Sequence, residues 1–317
     1  MSAAERKLVA SHPIPRRHLH LRPMVTEPEP GASPSGSGMT ASVNHVDVVL
    51  VADVDDPHYL AVNAQLVLLG ARTLRLNLSD VISRSLISQV GALDVAEDGS
   101  WSRVDHETSV WWFRAGRAHA PEGSEADEAQ LILDEAPSVL VGSLRAAGVR
   151  WIDDPDVVRQ AEWKLGQLAV AAALEIPTPR WRATNNPAAA QRFADGYPVI
   201  AKPLSAGLGI APHVDTVPPG ELANPGELVT LFQQQVDASA DIRVVVIDGQ
   251  TWVWRRTRES DTVDWRAVDP RGRGFSAVSA ESLETAPVRM TSALGLTMSV
   301  QDWLETEDGP VFLEVNP

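Results

Sequence analysis

Residues 46–78 read strand, helix, strand, and that order is the tightest constraint on the fold. Val46 to Val51 is a short apolar strand running into Ala52-Asp53-Val54-Asp55-Asp56-Pro57. A helical pattern follows through Leu60, Ala64, Val67 and Leu68, closed by Gly70. Thr73 to Leu78 then alternates as a second strand. Two strands joined by a helix in about 30 residues make a βαβ unit, which implies a parallel sheet and an α/β fold. Ser109 to Arg114 reads as a further strand. Residues 115–130 are acidic and small, a loop leading into a helix from about 126 to 147.

The 317 residues suffice for two or three domains. Residues 1–40 carry six prolines, from Pro13 to Pro34, and a Gly/Ser run from Gly31 to Gly38. With no apolar periodicity, little offsets their ordering entropy, so a disordered tail is expected. Met39 is a candidate alternative start, and the folded part is expected just after it. A net charge of −15 argues against nucleic acid or an anionic membrane as partner. The chain has no cysteine, which excludes disulfides and thiolate catalysis. No apolar run approaches the roughly 18 residues of a membrane helix, and a cytoplasmic location is expected.

Chemistry-bearing residues concentrate in the second half. In Phe312-Leu313-Glu314-Val315-Asn316-Pro317, alternation puts Glu314 and Asn316 on one face and Leu313 and Val315 on the other. A carboxylate and an amide side by side suit a hard cation such as magnesium, or else a polar strand end at the surface. Asp154-Pro155 starts a helix expected to run to about Leu174. Lys164 falls on its apolar stripe of Val157, Ala161, Leu165, Leu168 and Ala172. Either an anion or carboxylate meets that lysine, or it snorkels from the stripe's edge. Tyr197 to Lys202 is a strand ending in lysine and proline. It is followed by Ser205, Gly207 and Gly209, small residues that let backbone amides approach a phosphate or simply make a hairpin turn.

Two hairpins follow. Asp248-Gly249 joins Ile242–Ile247 to Gln250–Trp254. The second joins Val300–Leu304 to Val311–Asn316 through Glu307-Asp308-Gly309. Register follows the buried face. A two-residue Asp-Gly loop would set Trp303 beside Glu314. A three-residue loop, with Gly309 left-handed, sets Asp302 opposite Glu314 and Trp303 opposite Leu313. Only the latter gives one clean polar and one clean apolar face, and it is the expected arrangement.

Taken in order, the βαβ start, Lys164, Lys202, the Gly-rich loop, Phe232 to Val236, Asp241-Ile242-Arg243, Asp302, Glu314 and Asn316 resemble the ATP-grasp superfamily over about residues 44–317. A narrower resemblance is to the ATP-grasp maturases of ribosomally made peptides, the microviridin-type macrocyclases and their actinobacterial relatives. It is carried by Trp111-Trp112-Phe113-Arg114, Trp151-Ile152-Asp153-Asp154-Pro155, Lys164-Leu165-Gly166-Gln167-Leu168, Ile176-Pro177-Thr178-Pro179, Asp264-Trp265-Arg266 and the final Phe312–Pro317. The resemblance implies a pre-ATP-grasp domain over 41–150, a central domain over 151–230 and a C-terminal domain over 231–317. It implies ATP and magnesium as cofactors. Lys164 and Lys202 match the phosphate-binding lysines, and Ser205, Gly207 and Gly209 the loop over the phosphates. Gln233, Gln234 and Val236 match the adenine and ribose linker, with Asp241 beyond it. Asp302, Glu314 and Asn316 match the metal ligands. Arg243 and Arg266 fall where family arginines handle the transferred phosphate and the acyl group.

The implied activity is a ligase that turns Asp or Glu side chains of a precursor peptide, bound by leader and core, into acyl phosphates and then ester or amide crosslinks. Homodimers are common in that family. A rival is a ligase of the same fold joining an amino acid or small amine to a protein or metabolite carboxylate. A third reading is a non-catalytic nucleotide-binding partner. Two departures favour the third: the usual linker glutamate reads Gln234, and relatives continue past the Asn-Pro at which this sequence stops. The intact Lys164, Lys202, Asp302, Glu314 and Asn316 set favours an enzyme. Trp252 and Trp254, beside Arg255, Arg256 and Arg258, suggest either a strand edge for peptide addition or core packing with a solvated basic turn.

Overall fold

The computed structural model describes residues 43–97, 99–204, 215–217, 228–258, 265–267, 269 and 272–317. The tail, Met39, the loop residues Ser205, Gly207 and Gly209, and Asp264 lie outside them. The chain divides into residues 1–150 and 151–317, each taken by itself below.

In the first unit, β1 (Val43–His45) and β2 (Val48–Val51) lead to α1 (Pro57–Leu68) and β3 (Thr73–Leu76). The expected βαβ unit is present: β2 is central and parallel to both β3 and β7 (Ser109–Trp112). Helix α1 starts where Asp56 accepts hydrogen bonds from the His58 and Tyr59 amides at 2.8 and 3.3 Å, with Pro57 in the first turn. Its end turns through Gly70 at φ +84°. The stripe Leu60, Ala64, Val67 and Leu68 faces solvent, while Tyr59, Val62, Asn63 and Leu66 are half-buried. The helix is apolar on both sides, so periodicity alone did not fix which side packs.

Residues 80–104 had no expected elements, yet they form α2 (Asp80–Ser83) and a meander of β4 (Leu86–Gln89), β5 (Ala92–Glu97) and β6 (Ser100–Val104), with β1 parallel to β6. Gly91 and Gly99, at φ +86° and +79°, mark its turns. Helix α3 (Ala126–Ala147) matches its expected bounds and buries Ala136, Leu140, Ser143, Leu144 and Ala147, one helical stripe.

Strand β8 (Arg150–Ile152) spans the division. In the second unit, the expected long helix is two: α4 (Pro155–Ala161), capped by Asp154, and α5 (Lys164–Ala173). The break at Glu162-Trp163 rotates the buried face to Val158, Ala161, Gln167, Leu168 and Ala171, and leaves Ala172 exposed. Lys164 therefore sits in a first turn rather than mid-helix.

Next come β9 (Trp181–Thr184), α6 (Pro187–Ala194), β10 (Val199–Lys202), β11 (Asp215–Val217) and β12 (Thr230–Gln234). They form an antiparallel sheet in the order β11-β10-β12-β9. Ala190 and Ala194 of α6 pack on Val199 and Phe232. Residue 230, the expected domain boundary, is the first residue of β12.

The last sheet runs β15-β14-β13-β16-β17, from β13 (Ala240–Ile247), β14 (Gln250–Thr257), β15 (Ser276–Val278), β16 (Met298–Thr306) and β17 (Gly309–Asn316), with α7 (Ala286–Ala293) between β15 and β16 in the chain. Asp248 and Gly249, at φ +47° and +76°, make the expected two-residue turn between β13 and β14.

The C-terminal hairpin corrects the register argument. Its loop is the two residues Glu307-Asp308, with Thr306 opposite Gly309. Asp302 does face Glu314, but a β-bulge then sets Trp303 opposite Phe312 rather than Leu313. The bulge supplies the one-residue shift assigned to a longer loop, so both faces stay clean. Trp303 and Phe312 are buried, their rings 5.3 Å apart edge to face. Buried Gln301 donates to the Pro287 carbonyl at 2.8 Å and the Thr291 hydroxyl at 2.9 Å, tying β16 to α7.

Strand β14 is no free edge, because β15 pairs with it at Val253, Trp254 and Arg255. Of the two readings of Trp252 and Trp254, the strand edge for peptide addition is thus already occupied at Val253 to Arg255. Arg255 instead grips Glu305 at 2.8 and 2.9 Å, holding that carboxyl down to about 2. A depressed carboxyl pKa stabilises the fold above the unfolded value of about 4.3 and loses that contribution as pH falls toward 2. Both side chains are partly solvated, so the contribution is about 1 kcal/mol or less. The difference in urea midpoint between the wild type and Glu305→Gln is expected to shrink steadily between about pH 5 and pH 2.5. A constant difference would contradict this account of the pair.

Candidate active site

Three strands and one helix of the second unit bring Lys164, Arg243, Asp302, Glu314 and Asn316 together. Antiparallel pairing sets Arg243 of β13 opposite Asp302 of β16, and Asp302 opposite Glu314 of β17. Asn316 lies two residues on from Glu314 and so on the same face. The Arg243 guanidinium is 3.4 Å from Asp302 Oδ1, and Arg266, from a 3-10 turn at Trp265–Ala267, donates to Oδ2 at 3.1 Å. The Asn316 amide reaches the same Oδ2 at 3.4 Å.

Lys164 answers the question its position raised: its Nζ donates to Glu314 Oε2 at 2.8 Å, with about a fifth of each side chain exposed. A cation in the first turn of a helix opposes the helix dipole, so local propensity does not explain this lysine. Lys202 closes the end of β10. It forms no ion pair among the described residues, and burial pushes its amine below the ordinary value. Glu314 and Asp302 work against that shift; Lys164 and Arg266 add to it. For Glu314, burial opposes ionisation, but Lys164 and Lys202 outweigh it and hold the carboxyl below its ordinary value. Burial lifts Asp302 above the usual range; Arg243 and Arg266 oppose the lift and Glu314 reinforces it.

Four cationic side chains, Lys164, Lys202, Arg243 and Arg266, thus share one site with two carboxylates, in a chain whose net charge is −15. The surplus is locally positive, which favours a polyanion. Asp302, Glu314 and Asn316 form an oxygen-bearing set of the kind that suits magnesium.

The remaining described candidates of the second unit take no part in these ion pairs. Gln233 is buried in β12, opposite Ile200 and Trp181. Gln234 ends that strand, its amide donating to the Arg180 carbonyl at 2.8 Å, and Val236 follows half-buried. Asp241 is buried and held by Arg256 at 3.1 Å and Arg258 at 3.5 Å, two residues from Arg243 on β13. His58 caps its own turn on Asp56 at 3.1 Å.

Gln167, within the Lys164–Leu168 motif, ties the helix to the site. One turn beyond Lys164, it accepts from the Val315 amide at 2.9 Å and donates to the Val315 carbonyl at 2.8 Å and the Ala161 carbonyl at 2.7 Å. Val315 lies between Glu314 and Asn316 on edge strand β17, so the glutamine pairs the open edge like a short strand. Its sequence signal was a polar residue on the apolar face of α5. Asp153 acts similarly, accepting from the Thr297 and Met298 amides at the start of β16.

No family model matches the sequence. A probable alpha-L-glutamate ligase of Xylella fastidiosa (strain M12) is 35% identical over 91 residues, which is 28% of this chain and 30% of that protein. The chain thus matches less than a third of the length of that curated relative. Among solved structures, the macrocyclase MdnC of Microcystis aeruginosa MRC, bound with precursor peptide MdnA, superposes with a TM-score of 0.73 at 20% identity, covering 86% of this chain and 91% of that one. A RiPP-associated ATP-grasp ligase of Chryseobacterium gregarium, in complex with ADP and a leader and core peptide, gives 0.72 at 18% identity over 86% and 89%. A RimK domain protein ATP-grasp from Sphaerobacter thermophilus DSM 20745 gives 0.56 at 20% identity over 85% and 90%. With the mixed α/β sheets described above, likeness over this much of both chains identifies the architecture: this chain has the ATP-grasp fold.

Proposed function

We propose that this chain is an ATP-dependent ligase that crosslinks side chains of a ribosomally made precursor peptide. The observation that carries the reading is the surplus of cations at Lys164, Lys202, Arg243 and Arg266 beside the paired carboxylates Asp302 and Glu314. Phosphoryl transfer asks little covalent chemistry of a protein and mainly needs cations positioned to spread phosphate charge. In this reading Lys164 and Lys202 hold the phosphates. Arg243 and Arg266 steady the transferred phosphoryl and the acyl group. Magnesium held by Asp302, Glu314 and Asn316 would neutralise charge on the phosphates.

A peptide carboxylate attacks the γ-phosphorus and displaces ADP, giving an acyl phosphate. A hydroxyl or amine of the same peptide then attacks the acyl carbon, losing its proton and releasing inorganic phosphate. The bond formed is an ester or amide, at a net cost of one water from the peptide. Neighbours solved with precursor, leader or core peptides support a peptide as substrate. The glutamate ligase match favours the second reading, an amino acid joined to a carboxylate.

The deciding experiment is the intact mass of a precursor peptide encoded beside this chain, after co-expression with it. Loss of one water per bond, absent with Lys202→Ala, is the expected result. A mass gain would replace it with the amino-acid ligase, and an unchanged mass would reject a peptide ligase for that substrate.

A further inference from the structure

The turn that carries Arg266 is fastened to the sheet at two points. The Asp269 amide donates to the Trp265 carbonyl at 2.8 Å, closing a single turn. Arg266 and Asp269, three residues apart, therefore leave it on one side. Arg266 reaches Asp302 of β16 at 3.1 Å. The Asp269 carboxylate stands 3.8 Å from Arg256 Nε on β14. Arg256 lies opposite Asp241 of β13 and donates to it at 3.1 Å. Asp241 shares a strand face with Arg243, so Arg256 stands on the same face of the sheet as Asp302 and Glu314. Two strands across and two residues along, Arg256 and Asp302 are about 12 Å apart, and the turn bridges that gap. The turn is also packed within itself. The Arg266 guanidinium lies 4.7 Å from the centre of the Trp265 ring, and that ring meets Phe275 edge to face at 5.0 Å. Asp269 accepts from the Arg273 and Gly274 amides at 2.9 and 2.7 Å. Gly274 comes so close that a Cβ there would stand 3.1 Å from Asp269 Oδ2 and 3.2 Å from Arg256 Nε.

We propose that Arg256 is a positioning residue for Arg266: by bridging Asp241 on the sheet and Asp269 in the turn, it fixes where the Arg266 guanidinium stands. The proposal rests on the ligase reading above, in which Arg266 meets the phosphoryl or acyl group. It gives Asp241 the task of holding Arg256 rather than meeting the nucleotide. The contact of Arg266 with Asp302 does not suffice by itself. The Arg266 side chain is 43% exposed, and a solvated ion pair gains little over the entropy of fixing a long side chain. A pinned turn removes that freedom before substrate arrives, which is where positioned cations gain their effect. Charges alternate along the chain of contacts, from Arg258 through Asp241 and Arg256 to Asp269. Without Arg256, Asp241 and Asp269 lose the cation between them, at positions too buried for water to screen the repulsion fully. Arginine suits the place because different nitrogens, Nη1 and Nε, meet the two carboxylates.

The test pairs turnover with a signal from the turn itself. Turnover is measured with magnesium, ATP and the precursor peptide encoded beside the chain. Fluorine NMR of the full chain carrying fluorotryptophan follows Trp265, assigned by its absence in Trp265→Phe, while the other tryptophans report an intact fold. Arg256→Met is expected to lower kcat at least about 30-fold with a KM for ATP within about twofold of the wild type. The Trp265 resonance should shift or broaden in the same variant. Arg256→Lys keeps the charge without the fork and should recover part of both losses. Gly274→Ala, which sets a methyl against both partners, should move the same resonance. If Arg256 acts through Arg266, then Arg256→Met costs nothing further in an Arg266→Met background. An unchanged kcat in Arg256→Met, losses that multiply in the double variant, or an unmoved Trp265 resonance overturns the proposal. If Arg266→Met itself turns over like the wild type, the role given to Arg266 in the ligase reading fails. The fluorine signal then still decides whether Arg256 holds the turn.

Discussion

Glu314→Gln lowers magnesium-dependent ATP turnover by about 1,000-fold or more, and in the same variant metal-free ATP binds more tightly than in the wild type. The two effects have opposite signs because Glu314 has two relations in the site. It belongs to the oxygen set with Asp302 and Asn316, and it neutralises Lys164 at 2.8 Å. Glutamine keeps the shape but removes the charge. The metal set loses a carboxylate, while Lys164 and Lys202 face an incoming triphosphate with one less internal anion competing for them. Relief of that competition is worth about 1.4 kcal/mol, or about tenfold in affinity. The comparison is Lys202→Met, which loses binding and turnover together. Calorimetric titration of ATP with and without magnesium separates the cases. Full turnover in Glu314→Gln would mean that the metal set is misplaced. Weaker metal-free binding would mean that Lys164 does not meet phosphate.

The stability of Glu314→Gln bears on the same point. Breaking a buried ion pair from one side usually costs about 3–5 kcal/mol, because the remaining charge is stranded. Here the stranded lysine is about a fifth exposed, and the anion proposed to replace Glu314 is the substrate. The variant should therefore melt below the wild type without ligand and recover much of the difference in saturating ATP, since a ligand that binds only the native state stabilises it.

Much of this site was legible because β-strands carry information at fixed spacing. Alternation placed Glu314 and Asn316 together, and matching polar faces placed Asp302 opposite Glu314 before the hairpin was known. The loop assignment failed because a bulge shifts register by one residue as a longer loop does, and side-chain pattern cannot separate the two. Helix facing was less legible. In α1 both sides are apolar, so Leu60, Ala64, Val67 and Leu68 marked a helix without saying which side packs, and that stripe is exposed. In the segment after Asp154, one continuous period hid a break at Glu162-Trp163, and Lys164 moved from mid-helix to a first turn. The meander at 86–104 was missed because its strands are poor in apolar residues, as in Ser100-Trp101-Ser102-Arg103, though Gly91 and the Asp98-Gly99 pair were turn signals in the sequence. Gln167 showed in its own segment only as a polar residue on an apolar face, because its Val315 partners lie 148 residues away.

That distance makes Gln167 the most informative positioning residue to remove. Leucine matches glutamine closely in volume, so Gln167→Leu leaves no cavity, but the Val315 amide and carbonyl lose their partners. Each stranded buried group costs about 1–3 kcal/mol. A net loss of about 3 kcal/mol lowers the unfolding transition of residues 151–317 by about 6–12 °C. The larger consequence falls on the site, because Val315 lies between Glu314 and Asn316. Once the edge of β17 is released from α5, the two side chains are no longer held at fixed distance from Lys164. Misplacement of about 1 Å at a site of this kind costs about 100-fold in rate. The expected signature is a fall in kcat with a raised magnesium requirement and a nearly unchanged KM for ATP. Gln167→Glu keeps the acceptor for the Val315 amide but sets a buried carboxylate against the Val315 and Ala161 carbonyls, so it should melt at or below Gln167→Leu. Assays are run well below the lowered transition, so unfolding does not masquerade as lost rate. If Gln167→Leu melts early but keeps its kcat and magnesium dependence, the glutamine only braces the edge strand. In that case the geometry of Glu314 and Asn316 is set by the β16–β17 pairing alone.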